Sequence, residues 1–130
     1  MIDVACALIE KDGLVLAAQR SERMSLPLKW EFPGGKLDSN ESAIACLKRE
    51  IYEELGVEIV ISAALPPSEW DYEKLSVRLY PFVCTMNGGR IFLTEHKAVR
   101  WLTPEELPAL DWAEADGPVL SAYLNYLRAE

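Results

Sequence analysis

Apolar residues open the chain in two short runs, Val4 to Ile9 and Leu14 to Ala18, separated by Glu10-Lys11-Asp12-Gly13. An Asp-Gly pair between two such runs predicts two strands joined by a tight turn. Residues 21 to 30 show no period, and Phe32-Pro33-Gly34-Gly35 predicts a loop with no regular element. From Ser42 to Leu55 the period changes: Ile44, Leu47, Ile51 and Leu55 recur at spacings of three and four and form one narrow stripe of a helix. Gly56 is placed to cap it, since glycine enters the left-handed conformation readily. Val57 to Ser62 and Ser76 to Thr85 read as strands. Asn87-Gly88-Gly89 before Arg90-Ile91-Phe92-Leu93 reads as a hairpin, and Ala98 to Leu102 as a short strand. Thr103-Pro104-Glu105-Glu106 offers a cap, a first-turn proline and first-turn acids, so a short helix is expected there. Another is expected from about Pro118 to Arg128, where Val119, Leu120, Tyr123, Leu124 and Leu127 keep helical spacing. Strands and helices so interspersed predict an α+β domain, a mixed sheet with helices packed on it, over residues 1 to 130.

Composition narrows the partners. Thirteen Lys plus Arg against twenty-one Asp plus Glu leave a net charge of −8, which repels nucleic acid polymers and anionic membranes. A phosphate-bearing ligand would have to be met by local cations or by a metal. Cys6, Cys46 and Cys84 lie far apart with no CxxC pair, so the reading is buried, reduced thiols in a cytoplasmic protein. No apolar stretch reaches membrane-spanning length, and the first residues lack a leader pattern.

The helix ending at Leu55 carries the chemistry. Glu50, Glu53 and Glu54 fall within roughly 100° of one another around it. Like charges at this spacing weaken a helix, and the negative end of its dipole disfavours them again. A solvated face would intersperse lysines four residues on; here only Lys48 and Arg49 are near. A hard divalent cation such as Mg²⁺ would turn the repulsion into affinity, since it takes carboxylate and phosphate oxygens together. Upstream, Phe32-Pro33-Gly34-Gly35 offers a bend where a backbone carbonyl can approach an ion.

The full register is Gly35, five residues, Glu41, seven residues, Arg49-Glu50-Ile51, Tyr52, Glu53-Glu54, Leu55, Gly56-Val57. It resembles the box of the Nudix hydrolases, G-x5-E-x7-R-E-U-x-E-E-x-G-U with U aliphatic, at every fixed position. The order of elements is similar to that of the small MutT-like branch. The resemblance implies a mixed sheet sandwiched between helices. It further implies Mg²⁺-dependent hydrolysis, with Mn²⁺ as a substitute, of nucleoside triphosphates to the monophosphate and pyrophosphate, in sanitation of the nucleotide pool. By position, Glu50, Glu53, Glu54 and the Gly34 carbonyl match the metal ligands. Arg49 matches the residue that orients them, and Glu41 a lock on the loop. Glu95, six residues before Trp101, matches the extra acid that serves as general base and metal ligand; Glu50 competes for the base role. Arg20 and Lys36, with Lys74 more loosely, match phosphate contacts, and Glu31, Phe32 and Pro33 the wall of the base pocket.

Two positions bear on the base. Asp116 stands where the 8-oxoguanine branch has asparagine. An ionised carboxylate only accepts, which suits an exocyclic amino group as on cytosine or adenine, unless burial keeps the acid protonated. It could equally cap the last helix. Ser25 replaces a histidine near the base, and Trp70-Asp71-Tyr72 is a further candidate for base contact. His96 has no nucleophile beside it in sequence. The remaining alternatives are hydrolysis of another nucleoside diphosphate derivative, or a non-catalytic nucleotide sensor. Either could be a monomer or homodimer.

Overall fold

A computed structural model describes residues 1–129. The first strand, β1 (Ile2–Lys11), turns through Asp12 and Gly13, both at positive φ (53° and 79°), into β2 (Leu14–Gln19). The two pair only near this turn, at Glu10↔Val15 and Lys11↔Leu14. Beyond it they splay, and other strands take each free edge. Along its length β1 runs parallel to β7 (Ser76–Met86), while β2 pairs with β8 (Ala98–Leu102) and with β3 (Trp30–Glu31). β5 (Ile59–Ala64) and β6 (Ser68–Asp71) share the outer edge of β7, one on each half.

The strand β1 has an unbroken apolar run because both of its faces are covered. Ala5, Ala7 and Ile9 pack with Cys46, Leu47, Ile51 and Leu55 of helix α1 (Ala43–Leu55). Cys6 and Leu8 pack with Val119, Leu120 and Tyr123 of helix α2 (Asp116–Ala129) on the other face. The sheet is therefore sandwiched between helices, the expected α+β arrangement. Cys6, Cys46 and Cys84 are all buried and unpaired. No helix among the described residues is long and apolar enough to cross a membrane.

Several elements differ from the sequence expectation. Gly34–Lys36 is a strand, β4, antiparallel to β1 with Cys6↔Gly34 and Val4↔Lys36. It fits because Gly34 has no side chain: a Cβ there would lie 2.8 Å from the Cys6 Cα and closer still to the Ala5 carbonyl. On α1, Ile44 is 41% exposed and the buried place belongs to Cys46, whose thiol reaches the carbonyls of Gly35 and Lys36 at 3.5 and 3.3 Å. The short helix expected after Thr103 is only a 3₁₀ turn at Leu107–Ala109, since Pro108 has no amide hydrogen to continue it. β6 was not anticipated, and the strand expected from Val57 starts two residues later.

Arg90 to Leu93 form no strand. After Gly88 and Gly89, both at positive φ, this segment crosses the C-terminal end of α1. Phe92 donates its amide to the Leu55 carbonyl at 2.8 Å, and Thr94 donates its amide to the Glu54 carbonyl at 3.3 Å. The last carbonyls of a helix have no partner within it, and here a returning strap of chain supplies the donors.

Candidate active site

The helix α1 is well ended on both sides. Ser42 accepts the Ala45 amide at 3.1 Å, and Gly56 adopts the left-handed conformation (φ 71°) while donating to the Tyr52 carbonyl. Its acids grade from solvent to core. The Glu53 side chain is 55% exposed and that of Glu50 18%, whereas Oε1 of Glu54 is buried with no hydrogen-bond partner. Burial, with Glu31, Glu50 and Glu95 around it, pushes the Glu54 carboxyl up to about 8. Around the helix Glu54 is the acid nearest the apolar stripe, and the elements packed over that side bury it.

Arg49 clasps the loop and the helix together. It donates to both oxygens of Glu41, from Nε at 2.8 Å and Nη2 at 3.0 Å, and from Nη1 to Glu50 at 2.7 Å and Glu53 at 3.4 Å. The guanidinium, helped by the Asp38 amide, lowers the Glu41 carboxyl to about 2. Glu50 in turn lies over Gly35, where a Cβ would come within 2.7 Å of the Glu50 Cγ and closer to its carboxylate. The second glycine is thus a space kept for an acid. Thr94 fixes the strap to the end of α1, and this places the exposed Glu95 within electrostatic reach of Glu54.

Beside these acids lies a cavity of about 600 Å³ whose lining includes Arg20, Lys36, Tyr72, Lys74 and Asp116. A smaller one of about 220 Å³ leads from it to Gly34, Gly35 and Glu54. A third, of about 540 Å³ between the β1–β2 turn and Gly88-Gly89, touches none of the acids of α1. In the first, Arg20 is held on three sides. It donates to Glu31 at 2.7 Å, to the Ser25 carbonyl at 2.6 Å and to the Ser25 hydroxyl at 2.9 Å. Asp116 is 7% exposed and accepts the Phe32 amide at 2.8 Å. Desolvation, then the charge of Glu31, raises its carboxyl to about 8, so at neutral pH it both donates and accepts. Of the two states left open for this residue, burial favours the protonated one. Its side chain bonds the Phe32 amide rather than a helix amide, while the preceding Ala115 amide donates to the Tyr72 hydroxyl at 3.0 Å.

The donor set fits a hard divalent cation. It consists of carboxylate oxygens, one of them buried and unpartnered, beside a glycine bend with no side chain to exclude an ion. With Glu50 turned to Arg49, no three acidic side chains among the described residues converge in ligating geometry.

The structure thus gathers Arg20, Glu31, Phe32, Gly34, Lys36, Glu54 and Asp116 around connected cavities, with Arg49, Glu50, Glu53 and Glu95 at their margin. Pro33 is buried just behind, its carbonyl accepting the Ala7 amide at 2.8 Å. Lys74 faces the larger cavity from the β6–β7 turn. Three features escaped the sequence: Ser25 as the brace of Arg20, the contact of Tyr72 with the residue before Asp116, and the burial of His96 against Glu31 at 2.7 Å. Each residue left a trace though its contact did not: Ser25 and Tyr72 as positions near the base, and His96 as the chain's single histidine next to a candidate acid.

Comparison with known proteins places the chain in a family. The NUDIX domain family model matches residues 1–123. The CTP pyrophosphohydrolase of Escherichia coli (strain K12) is 35% identical over 124 residues, covering 95% of this chain and 92% of that protein. The 8-oxo-dGTP diphosphatase of Buchnera aphidicola subsp. Schizaphis graminum is 30% identical, covering 87% and 85%. The solution structure of the E. coli ORF135 protein superposes with a TM-score of 0.86 at 33% identity, covering 100% of this chain and 93% of that one. A box intact at each fixed position, on a fold shared along nearly the whole chain, makes this protein a member of the Nudix hydrolases.

Proposed function

We propose that the protein hydrolyses nucleoside triphosphates, normal or damaged, to the monophosphate and pyrophosphate with Mg²⁺, and so cleans the nucleotide pool. The observation that carries this reading is the buried, unpartnered Glu54 oxygen, one narrow cavity away from the braced Arg20. A buried carboxyl oxygen with no partner is unfavourable unless something positive is meant to meet it. Nudix hydrolases generally need a divalent metal. Glu50, Glu53 and Glu54 would hold it with the Gly34 carbonyl, and Mn²⁺ should substitute for Mg²⁺. When bound, such an ion supplies Lewis acidity to phosphoryl oxygens and offsets the charge of the departing pyrophosphate.

The chain's own groups do the remainder. Arg49 holds Glu50, touches the exposed Glu53 and ties both to Glu41, which steadies the loop after β4. Arg20 and Lys36 anchor the polyphosphate, with Lys74 at the rim. Arg20 still has N–H groups to offer, because its three recorded bonds leave part of the guanidinium fork unused. Glu95 takes the proton of the attacking water, which leaves Glu50 to the metal and to Arg49, its partner at 2.7 Å. The base enters the 600 Å³ cavity beside Glu31 and meets Asp116 there, with Phe32 lining the adjoining smaller cavity and Pro33 behind it. A neutral acid there can accept from an exocyclic amino group and donate to the adjacent ring nitrogen, the pattern that cytosine presents. The same acid can mimic an amide toward an oxidised purine. The relatives named for CTP and for 8-oxo-dGTP support both members of this class.

A hydrolysis screen tests the proposal: CTP, oxidised and methylated pyrimidine triphosphates, 8-oxo-dGTP, the normal triphosphates and nucleoside diphosphate sugars, each with Mg²⁺. Release of pyrophosphate from one or more triphosphates is the expected result. Orthophosphate as the product, or turnover of the sugars alone, would overturn it.

A further inference from the structure

We propose that His96 is a positioning residue that ties the Glu95-bearing strap to the anchor Arg20 through the carboxylate of Glu31. The inference rests on the reading of Arg20 and Glu95 given above. The His96 side chain is fully buried, and its Nε2 lies 2.7 Å from Glu31 Oε2. The other oxygen of Glu31 accepts from Arg20 Nη1, also at 2.7 Å. Both oxygens are thus engaged, one by a strap on the far side of α1 and one by the end of β2. On either side of His96 the backbone is pinned as well. Thr94 donates to the Glu54 carbonyl, and Lys97 donates to the Gln19 carbonyl at 2.9 Å. Between these pins the imidazole is the side chain that reaches into the acid cluster.

The ring is a poor choice as mere filler. Its Nδ1 is buried with no hydrogen-bond partner, an expense that an apolar side chain of similar size would avoid. The compensating contact is the hydrogen bond from Nε2 to a carboxylate, of the stronger charge-assisted kind. Through it Glu31 is held at the angle at which it also holds Arg20, and Glu95 is held one residue away from a fixed point. His96 therefore acts on both substrate anchoring and proton removal without touching substrate.

The test uses the untagged 130-residue chain, in which His96 is the only histidine. A histidine-labelled NMR spectrum of the metal-free protein should show one ring proton bonded to Nε2 and slow to exchange. In Glu31→Gln that resonance should move and exchange faster. In steady-state assays with the best triphosphate of the screen and Mg²⁺, His96→Ala should lower kcat/KM about ten- to hundredfold, with KM raised and kcat lowered. His96→Gln can present an N–H to Glu31 and should recover most of the KM defect. A ring proton on Nδ1 instead, a resonance indifferent to Glu31→Gln, or His96→Gln no better than His96→Ala, would each overturn the inference. Failure of every triphosphate to react would instead sink the proposed function, while the spectrum would still decide whether the tie exists.

Discussion

Replacing Asp116 by asparagine should stabilise the protein at alkaline pH and do little in acid. The carboxyl of Asp116 titrates near 3.8 in the unfolded chain and near 8 when folded, first because burial strips its water and then because Glu31 lies close. The folded state therefore holds a proton that the unfolded state releases. Stability is full below about pH 4 and is lost progressively as the pH rises toward about 8. At about 1.4 kcal/mol for each tenfold difference in proton affinity, the whole window is bounded at about 6 kcal/mol, and the part between pH 5 and 8 at about 4 kcal/mol. Asparagine cannot ionise, yet keeps an oxygen for the Phe32 amide, so the contact at 2.8 Å survives. Glu54 titrates in both proteins, and neither acid is among the neighbours that perturb the other, so it drops out of the difference. The assay is urea denaturation of variant and wild type, without metal, at about pH 5 and 8. Even a quarter of the bound, about 1 kcal/mol, corresponds to a Tm change of roughly 4 °C in a chain of this size. A stability difference that stays flat across that range would refute the account of Asp116 as a buried, protonated acid.

Adjacent glycines should fail in opposite ways. Gly34→Ala drives a methyl into β1 backbone and should destabilise by about 3 kcal/mol or more, whereas Gly35→Ala meets only the movable Glu50 side chain and should fold. The second variant should nevertheless lose about a hundredfold in kcat/KM; denaturation curves and turnover together decide it, and equal stability losses would contradict the packing described. Glu54→Gln should abolish the rise in Tm that Mg²⁺ produces in the wild type, read by thermal unfolding with and without the ion. Arg49→Lys keeps a charge but not a fork, and kcat should drop about ten- to hundredfold with little change in KM; a lysine variant as fast as wild type would remove the clasp from the mechanism.

How much of this was legible in the sequence depends on whether the deciding contact was local. The β1–β2 turn and the C-terminal end of α1 were readable because Asp12-Gly13 and Gly56 settle them with backbone preferences of their own. Ile44 misled because periodicity says which residues share a face, not how far along the helix the sheet extends, and β4 lay beside Cys46 instead. Gly34-Gly35 reads as a breaker in isolation; only the closeness of β1 turns it into a strand. The box located the acids of α1, yet not their gradation from the exposed Glu53 to the buried Glu54, which depends on what packs over the helix. The protonation of Asp116 and the brace from Ser25 to Arg20 were similarly beyond reach, since both arise from residues distant in sequence.

The strap over the end of α1 is fastened at Phe92 and Thr94 largely by main-chain amides, while Phe92 itself is 63% exposed. At Phe92 the side chain should accordingly be replaceable, and the length of the strap should not be. Insertion of a single residue there would carry Glu95 off station even if every amino acid now present were kept.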